Sequence, residues 1–365
     1  MKFLVERDAL KEALHVVSAR AKGNNIPILS HLLIEAEGQS IKITGHDLDS
    51  CSQATIPAEV TSGGAVAMPS DRFSRLIMGW PDGSQVVCDT DNVLARVRCG
   101  RSSYQFGLLP AADFPLVLTP KDPVTFSLTG KQVARLFKTP DACISQEVSR
   151  AYLCGIYLHR MNDRLAAVAT DGHTLVRVFS DAQSPKFEGV IVPEKACAEF
   201  VRTAGAIDEA QIEVTKNLIA IQAAGRRYVS KLIDGTYPDY PRVIPDAAAP
   251  VIAVMREDID AGLGRLLTAR DPELTTVVKL SWRDDVESID VVLRSKFGEG
   301  AEHIDCDCSG RDPGEVGMRL DDIQAVVSAI GGTRLRLFID GPGDPIRVES
   351  PDDADIVGVI MPCHV

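Results

Sequence analysis

Residues 65–69 read Ala65-Val66-Ala67-Met68-Pro69 and lead into a helix-like segment. Residues 189–193 read Gly189-Val190-Ile191-Val192-Pro193 and do the same, with the two prolines 124 positions apart. Val316-Gly317-Met318-Arg319 leads into a third such helix, with Met318 126 positions after Val192. Working outward, Gly100-Arg101 precedes a strand-like run ending in Asp113-Phe114-Pro115, and Gly225-Arg226 precedes one ending in Thr236-Tyr237-Pro238. These offsets are 125 and 123, and a third of the 365 residues is about 122. Agreement of short matches on one period is the signature of a repeated domain. Three diverged copies of one domain are expected, at 1–121, 122–248 and 249–365.

Each copy reads as two helices among short strands. Leu10, Ala13, Leu14 and Val17 form an apolar stripe at helical spacing over about Asp8 to Ala21. Phe73, Leu76 and Ile77 do so after Pro69. Val133, Leu136 and Phe137, then Cys197, Phe200 and Val201, serve the second copy. Ile259, Leu263 and Leu266, then Leu320, Ile323, Val327 and Ile330, serve the third. Leu32–Ala36 and Ser40–Thr44 flank Glu37-Gly38-Gln39 as a hairpin, and Leu335–Ile339 and Ile346–Val348 flank Gly341-Pro342-Gly343. Leu165–Thr170 is a further strand. The expected fold class is α+β, with helices packed on one face of antiparallel sheets.

Hydrophobic residues at 45% supply a core and exclude global disorder. Aromatics at 5% argue against a base-stacking platform. The net charge of −12 argues against a basic DNA-coating protein when the chain is taken whole. Split by repeat, the net charges are −1, 0 and −11. Nearly all the acidity therefore belongs to the third copy, and basic helix faces belong to the first two. Neither a signal-peptide pattern at the start nor an 18-residue apolar span is read. The nine cysteines are scattered without a Cys-x-x-Cys pair, which reads as a reduced, cytoplasmic protein. Cys306-x-Cys308 with His303 is at most a partial metal site, and two same-face strand thiols are the simpler reading.

No phosphate-binding glycine loop, dinucleotide fingerprint, zincin motif or nucleophile elbow occurs. Asp47/Asp49 and Asp352/Asp353 read as turn residues. Cys154 and His173 could form a thiol nucleophile and its base. Cys154 lies in the apolar run Tyr152-Leu153-Cys154-Gly155-Ile156, where a packed core thiol is the simpler reading.

Several blocks carry a resemblance that runs nearly end to end. They are Met1-Lys2-Phe3 with Val5-Glu6-Arg7, Ile26-Pro27-Ile28-Leu29, and Leu109-Pro110-Ala111-Ala112-Asp113-Phe114-Pro115. They continue with Ala169-Thr170-Asp171-Gly172-His173-Thr174-Leu175, Ser230-Lys231-Leu232-Ile233-Asp234-Gly235, Tyr237-Pro238-Asp239-Tyr240 and Met361-Pro362. The chain resembles the bacterial sliding clamp family, the beta subunit of the replicative DNA polymerase III. The resemblance implies a non-catalytic processivity factor without cofactor or metal. It implies two subunits closing head to tail into a ring around duplex DNA, with helices inside and sheets outside.

The implied DNA-facing residues are Arg20, Lys22, Arg72, Arg75, Lys131, Arg135, Arg150, Tyr152, Lys195 and Arg202. The implied pocket for short peptide motifs uses Leu153, Thr170, Gly172, His173, Leu175, Pro238, Arg242, Val243, Val359, Met361 and Pro362. Partners through it would be the polymerase alpha subunit, the clamp loader, and other polymerases and repair proteins. At the subunit contact, the resemblance implies an edge strand of the first domain pairing with one of the third, with Tyr104 and Phe106 facing Leu266 and Leu267 across it. The ending Met361-Pro362-Cys363-His364-Val365 departs from the family's Met-Pro-Met-Arg/Lys-Leu. Met318-Arg319-Leu320-Asp321-Asp322 departs from its Phe-Asn-x-x-Tyr, as a secondary clamp copy would. A clamp-fold scaffold that does not load on DNA, and a thiol hydrolase, are the competing readings.

Overall fold

The first strand pairs with a strand more than eighty residues away, so even the N-terminal repeat is held by non-local contacts. The chain is described here from a computed structural model. It describes all residues except 18–25, 92, 206, 248–250, 271–274, 284–286, 297, 309–311 and 365. The first repeat runs β1 (Lys2–Glu6), α1 (Arg7–Val17), β2 (His31–Glu37), β3 (Ser40–His46), β4 (Ser50–Pro57), β5 (Glu59–Ser62), β6 (Gly64–Pro69), α2 (Ser70–Met78), β7 (Gln85–Thr90), β8 (Leu94–Cys99) and β9 (Ser102–Gly107). The second runs β10 (Val124–Leu128), α3 (Gly130–Phe137), β11 (Gly155–Met161), β12 (Arg164–Thr170), β13 (Thr174–Ser180), β14 (Val190–Pro193), α4 (Glu194–Ala204), β15 (Ala210–Val214), β16 (Leu218–Ala223) and β17 (Arg226–Lys231). The third runs β18 (Val251–Met255), α5 (Arg256–Leu267), β19 (Val277–Trp282), β20 (Ser288–Ser295), β21 (Gly298–Asp307), β22 (Gly314–Arg319), α6 (Leu320–Ala329), β23 (Arg334–Phe338), β24 (Ile346–Ser350) and β25 (Asp353–Ile360). Apart from the extra β5, the element order is the same three times.

The six expected helices are present. α2 shows why one forms where it does. Pro69 ends β6 and precedes the first turn, Asp71 puts a carboxylate near the positive helix end, and Gly79 follows the last residue. Phe73 and Ile77, one turn apart, are fully buried. Burying each such side chain contributes roughly 1.5–3 kcal/mol. In the first repeat they pack with Leu10, Leu14 and Val17 of α1 and with Ile34, Ile41 and Ile43 of the sheet.

Each repeat contributes two four-stranded antiparallel ladders, one of which carries β5 as an extra strand in the first repeat. The ladders do not stop at repeat boundaries. β4 of the first repeat pairs with β17 of the second, and β13 of the second pairs with β25 of the third. The chain consequently divides into two compact units, Met1–Gly130 with Glu199–Leu232, and Lys131–Ala198 with Ile233–Val365.

Among the described residues, two strands lack the partner that their equivalents have. β9, the first-repeat equivalent of β17 and β25, pairs only with β8. β21, the third-repeat equivalent of β4 and β13, pairs with β20 along Gly298–Asp305 and with β18 only at Cys306 and Asp307. Register also refines the sequence offset. The hairpins close as Cys99↔Ser102 and Ala223↔Arg226, so Gly100 matches Ala224, one position before Gly225.

Candidate peptide pocket and DNA-facing residues

Within the second compact unit, β12, β13 and β25 lie side by side, and Leu175 sits opposite Val359. Leu153 closes the group from the 3-10 segment Val148–Leu153. These three side chains pack with Val168, Ile191, Tyr237 and Tyr240 in one buried cluster. Tyr157 stacks flat on Tyr237 at 4.7 Å, and the Tyr240 ring meets His159 edge-on at 5.6 Å. Burial pushes the Tyr240 hydroxyl up to about 12 and the His159 imidazole down to about 4. The aromatic wall is therefore uncharged at neutral pH.

The turn between β12 and β13 forms the rim. Asp171 Oδ1 accepts the backbone N–H groups of His173 (2.8 Å) and Thr174 (2.7 Å), and Gly172 N–H goes to Thr170 Oγ1 at 3.1 Å. Gly172 has φ +94°, which favours glycine, and the Arg150 guanidinium lies 3.1 Å from where a Cβ would be. Met361 N–H donates to His173 O at 2.8 Å, which docks the end of β25 beside the turn. Cys363 N–H bonds Gly317 O at 2.9 Å. Gly172, His173, Pro238, Arg242, Val243 and Met361 are exposed, whereas Leu153, Leu175 and Val359 form a buried floor. An apolar floor with a polar, backbone-rich rim suits an extended peptide with apolar anchors. Arg242 is held by Asp239 at 2.6 Å.

Sequence reading missed Asp322. It lies at the start of α6, is 5% exposed, and its Oδ2 has no hydrogen-bond partner; Arg319 Nε is 3.6 Å away. Burial first, and then Asp171 and Asp321, raise this carboxyl to about 6, against the pull of Arg319 and His173. The signal was the departure at Met318–Asp322, which showed a change without showing that the acid turns inward.

The DNA-facing candidates divide. Arg72 and Arg75 lie on the exposed face of α2, with Arg75 paired to Asp71. Lys131 and Lys195 are exposed on α3 and α4. Arg135 corrects the expectation of a phosphate-facing cation. It donates to both Asp353 oxygens at 2.7 and 2.8 Å and to Phe179 O at 2.7 Å, because it faces β25 rather than solvent. Arg202 is likewise engaged, with His15 O at 3.2 Å and Val16 O at 3.1 Å at the end of α1, and with Glu199. Arg150 pairs with Glu147 at 2.5 Å, and Tyr152 packs against the pocket cluster beside Gly235. Arg20 and Lys22 lie outside the described residues.

Leu266 and Leu267, expected at the subunit contact, are placed as follows. Both belong to the last turn of α5, and Leu266 is buried beneath β21, 3.0 Å from where a Cβ on Gly300 would sit. Leu267 is half-buried. Tyr104 and Phe106 do lie on the free strand β9, with Phe106 edge-on to Phe73 at 6.2 Å. Cys154 Sγ reaches Glu147 O at 3.4 Å and Arg150 O at 3.8 Å. His303 binds Asp290 at 2.6 Å on the exposed face of β21, whereas Cys306 on the opposite face and Cys308, just past the end of the strand, are buried. Among the described residues no cluster of three metal-ligating side chains occurs.

Comparison with known proteins matches residues 1–118 to the N-terminal domain and residues 127–239 to the central domain of the DNA polymerase III beta subunit. The beta sliding clamp of Caulobacter vibrioides is 30% identical over the full length of both chains. The chain belongs to the beta sliding clamp family. The Escherichia coli K12 clamp is 27% identical, again over both full chains. Among solved structures, Caulobacter crescentus pol III beta superposes with TM-score 0.92 at 30% identity and full mutual coverage. A Bartonella birtlesii sliding clamp bound to griselimycin superposes with TM-score 0.94 at 27% identity and full mutual coverage. Clamps of this family are non-catalytic processivity subunits of DNA polymerase III, and this chain is a DNA sliding clamp.

Proposed function

We propose that two copies of this clamp join head to tail through β9 of one and β21 of the other, closing a ring on duplex DNA. One observation carries this reading. Both internal repeat junctions are antiparallel pairs of equivalent strands, β4 with β17 and β13 with β25, and only β9 and β21 are left without such a partner. Gln53↔Arg227 and Arg177↔Val357 are equivalent pairs at those junctions. Their counterpart at the subunit contact is Ser103 opposite Ala301. The contact is strand addition, as the resemblance implied. A ring with loose phosphate contacts stays on DNA without reading sequence, so it can slide.

The test is a Ser103→Cys/Ala301→Cys variant treated with a short bis-thiol linker. The expected product is a covalently closed dimer of twice 39.4 kDa, absent from the parent protein. Failure to cross-link in a dimeric sample would rule out this strand pairing.

The domains are assigned to 1–121, 122–248 and 249–365. The lining is assigned to Arg72, Arg75, Lys131, Arg150, Tyr152 and Lys195, with Arg20 and Lys22. Arg135 and Arg202 are assigned instead to holding α3 and α1. The third domain is assigned the weakest DNA contact: Arg256 is tied to Gly332 O, Arg265 to Glu302 and Arg270 to Asp321, while Glu257 and Asp258 are exposed. The pocket around Leu175 and Val359 takes peptide motifs of the polymerase alpha subunit, the clamp loader, and other polymerases and repair proteins. The site of action is the cytoplasm. Among the described residues no helix is long and apolar enough to cross a membrane.

A further inference from the structure

Strand β13 turns Leu175 and Arg177 to one face, because side chains two apart in a strand point the same way. Across the ladders, Leu175 sits opposite Thr170 and Val359, and Arg177 opposite Val168 and Val357. Val168 belongs to the floor cluster itself. The face that carries the pocket floor therefore runs on without a break to Arg177. Arg177 also adjoins the aromatic wall. Its charge, after burial, lowers the His159 imidazole, and it pulls the Tyr240 hydroxyl down against burial. Its guanidinium carbon lies 4.6 Å from the centre of the Phe179 ring, which Arg164 shares at 4.8 Å.

Arg177 lacks a counter-ion. The carboxylates whose charge reaches it are Glu349 and Asp355. Arg164 holds both oxygens of Asp355, at 2.7 and 2.5 Å. Glu349 accepts from Arg347 Nε at 2.7 Å, and Arg347 also donates to Pro245 O at 2.6 Å. Further along β25, Asp353 is held by Arg135. Among the described residues no carboxylate forms an ion pair with Arg177, and its Nε is buried without an acceptor. Burial first, and then Arg347, lowers this guanidinium against the pull of Tyr240, Glu349 and Asp355. An arginine keeps its charge even so. A half-buried cation that nothing neutralises is costly until a carboxylate reaches it. The rim arginines differ in this respect, since Arg150 is paired with Glu147 and Arg242 with Asp239.

We propose that Arg177 is a specificity-determining residue of the pocket, which pairs with a carboxylate that a docked peptide carries beside its apolar anchors. The proposal rests on reading the Leu175–Val359 junction as a peptide pocket. It goes beyond that reading in naming the chemistry of the peptide: apolar anchors for the floor, and an acidic group for the cation left over. Charge complementarity selects the occupant. The acids of the pocket lie at its other end, around the turn between β12 and β13. There Asp171 holds the N–H groups of its own turn, and Asp322 sits beside Arg319. At the Arg177 end the aromatic wall is neutral and the neighbouring carboxylates are taken, so a peptide meets an unpaired positive charge. A planar guanidinium matches a carboxylate through two parallel hydrogen bonds, whereas a carboxamide leaves the charge uncompensated.

The experiment titrates the full-length clamp with two peptides of equal size. They are acetyl-Asp-Ser-Leu-Ser-Leu-Ser-Asp-amide and acetyl-Asn-Ser-Leu-Ser-Leu-Ser-Asn-amide, with the acid at both ends to serve either direction of docking. The acidic peptide should bind the parent clamp about tenfold more tightly. Arg177→Met keeps an unbranched apolar stem and should bring the two affinities together by weakening the acidic peptide alone. Arg177→Lys keeps the charge and should retain a preference of about threefold, which a purely structural role would not rescue. Arg150→Gln and Arg242→Gln should leave the preference in place. Equal affinities for the parent, or a preference that survives Arg177→Met, overturn the role of Arg177 and leave the pocket standing. Binding that Leu175→Ala does not weaken, or no binding of either peptide, counts against the pocket itself and removes the proposal with it.

Discussion

Arg135 separates a structural cation from a DNA-binding one. Its side chain and that of Asp353 are each 28% exposed, and three charge-assisted hydrogen bonds join it to Asp353 and Phe179 O. An exposed pair contributes about 0–1 kcal/mol, and removing one partner of a fully buried pair costs about 3–5 kcal/mol. A half-buried pair sits between, so Arg135→Ala should cost about 2 kcal/mol. At roughly 2–4 °C per kcal/mol, the melting point falls by about 4–8 °C. The Asp353 carboxyl is held below 3.8, with the Arg135 hydrogen bond the main cause and burial opposing it. Its contribution is therefore present above that pH and lost as pH falls through the depressed value. The cost of Arg135→Ala should shrink accordingly as pH falls below the ordinary carboxylate range. The assays are denaturant unfolding across pH and binding to a short duplex across salt. Removing a residue that neutralises a phosphate lowers the magnitude of the slope of log K against log salt by about 0.9. Arg135→Ala should leave that slope unchanged, whereas Lys131→Ala should lower it. An unaltered midpoint together with a reduced slope for Arg135→Ala would refute the structural role.

Three further outcomes follow from the pocket and its surroundings. Asp322→Asn should stabilise the chain at pH 8 and have little effect at pH 3. A buried carboxyl raised from 3.8 to about 6 takes up protons in the folded state, so stability falls as pH rises through that window; melting curves from pH 3 to 8 check this. Cys363→Met/His364→Arg should tighten binding of a polymerase C-terminal peptide by several fold, since a longer apolar side chain and a fixed cation return to the pocket edge; equal affinities in a titration would contradict it. Leu175→Ala removes floor packing in the cluster and should cost about 2–5 kcal/mol in urea unfolding, with loss of peptide binding.

Periodicity was the most legible feature. The stripes at Leu10–Val17, Phe73–Ile77 and Leu320–Ile330 placed their helices, because each had to bury an apolar face, even where α6 also turns Asp322 inward. The three-fold repeat survived divergence because strand pairing repeats the same register. Contacts distant in sequence were not legible. Whether Arg135 points to solvent or to Asp353, 218 residues on, depends on which strands are neighbours. Leu266 and Leu267 are adjacent apolar residues at a helix end, and only the position of Gly300 of β21 above it decides that Leu266 is core. The 125-residue match at Gly100 and Gly225 was off by one, because the two tight turns place their glycines differently within the hairpin. The unpaired state of Arg177 was hidden for a related reason. Its neighbours Val176 and Val178 say nothing of Asp355 and Glu349, which the sheet brings near it already held by Arg164 and Arg347.

Topological retention on DNA tests the central claim most directly. The clamp is loaded onto nicked circular DNA with clamp loader and ATP, separated from free protein, and the circle is then cut. A closed dimeric ring should stay on the circle in high salt and leave from the free ends once the DNA is linear. Retention that survives linearisation, or no retention on the circle, would contradict it.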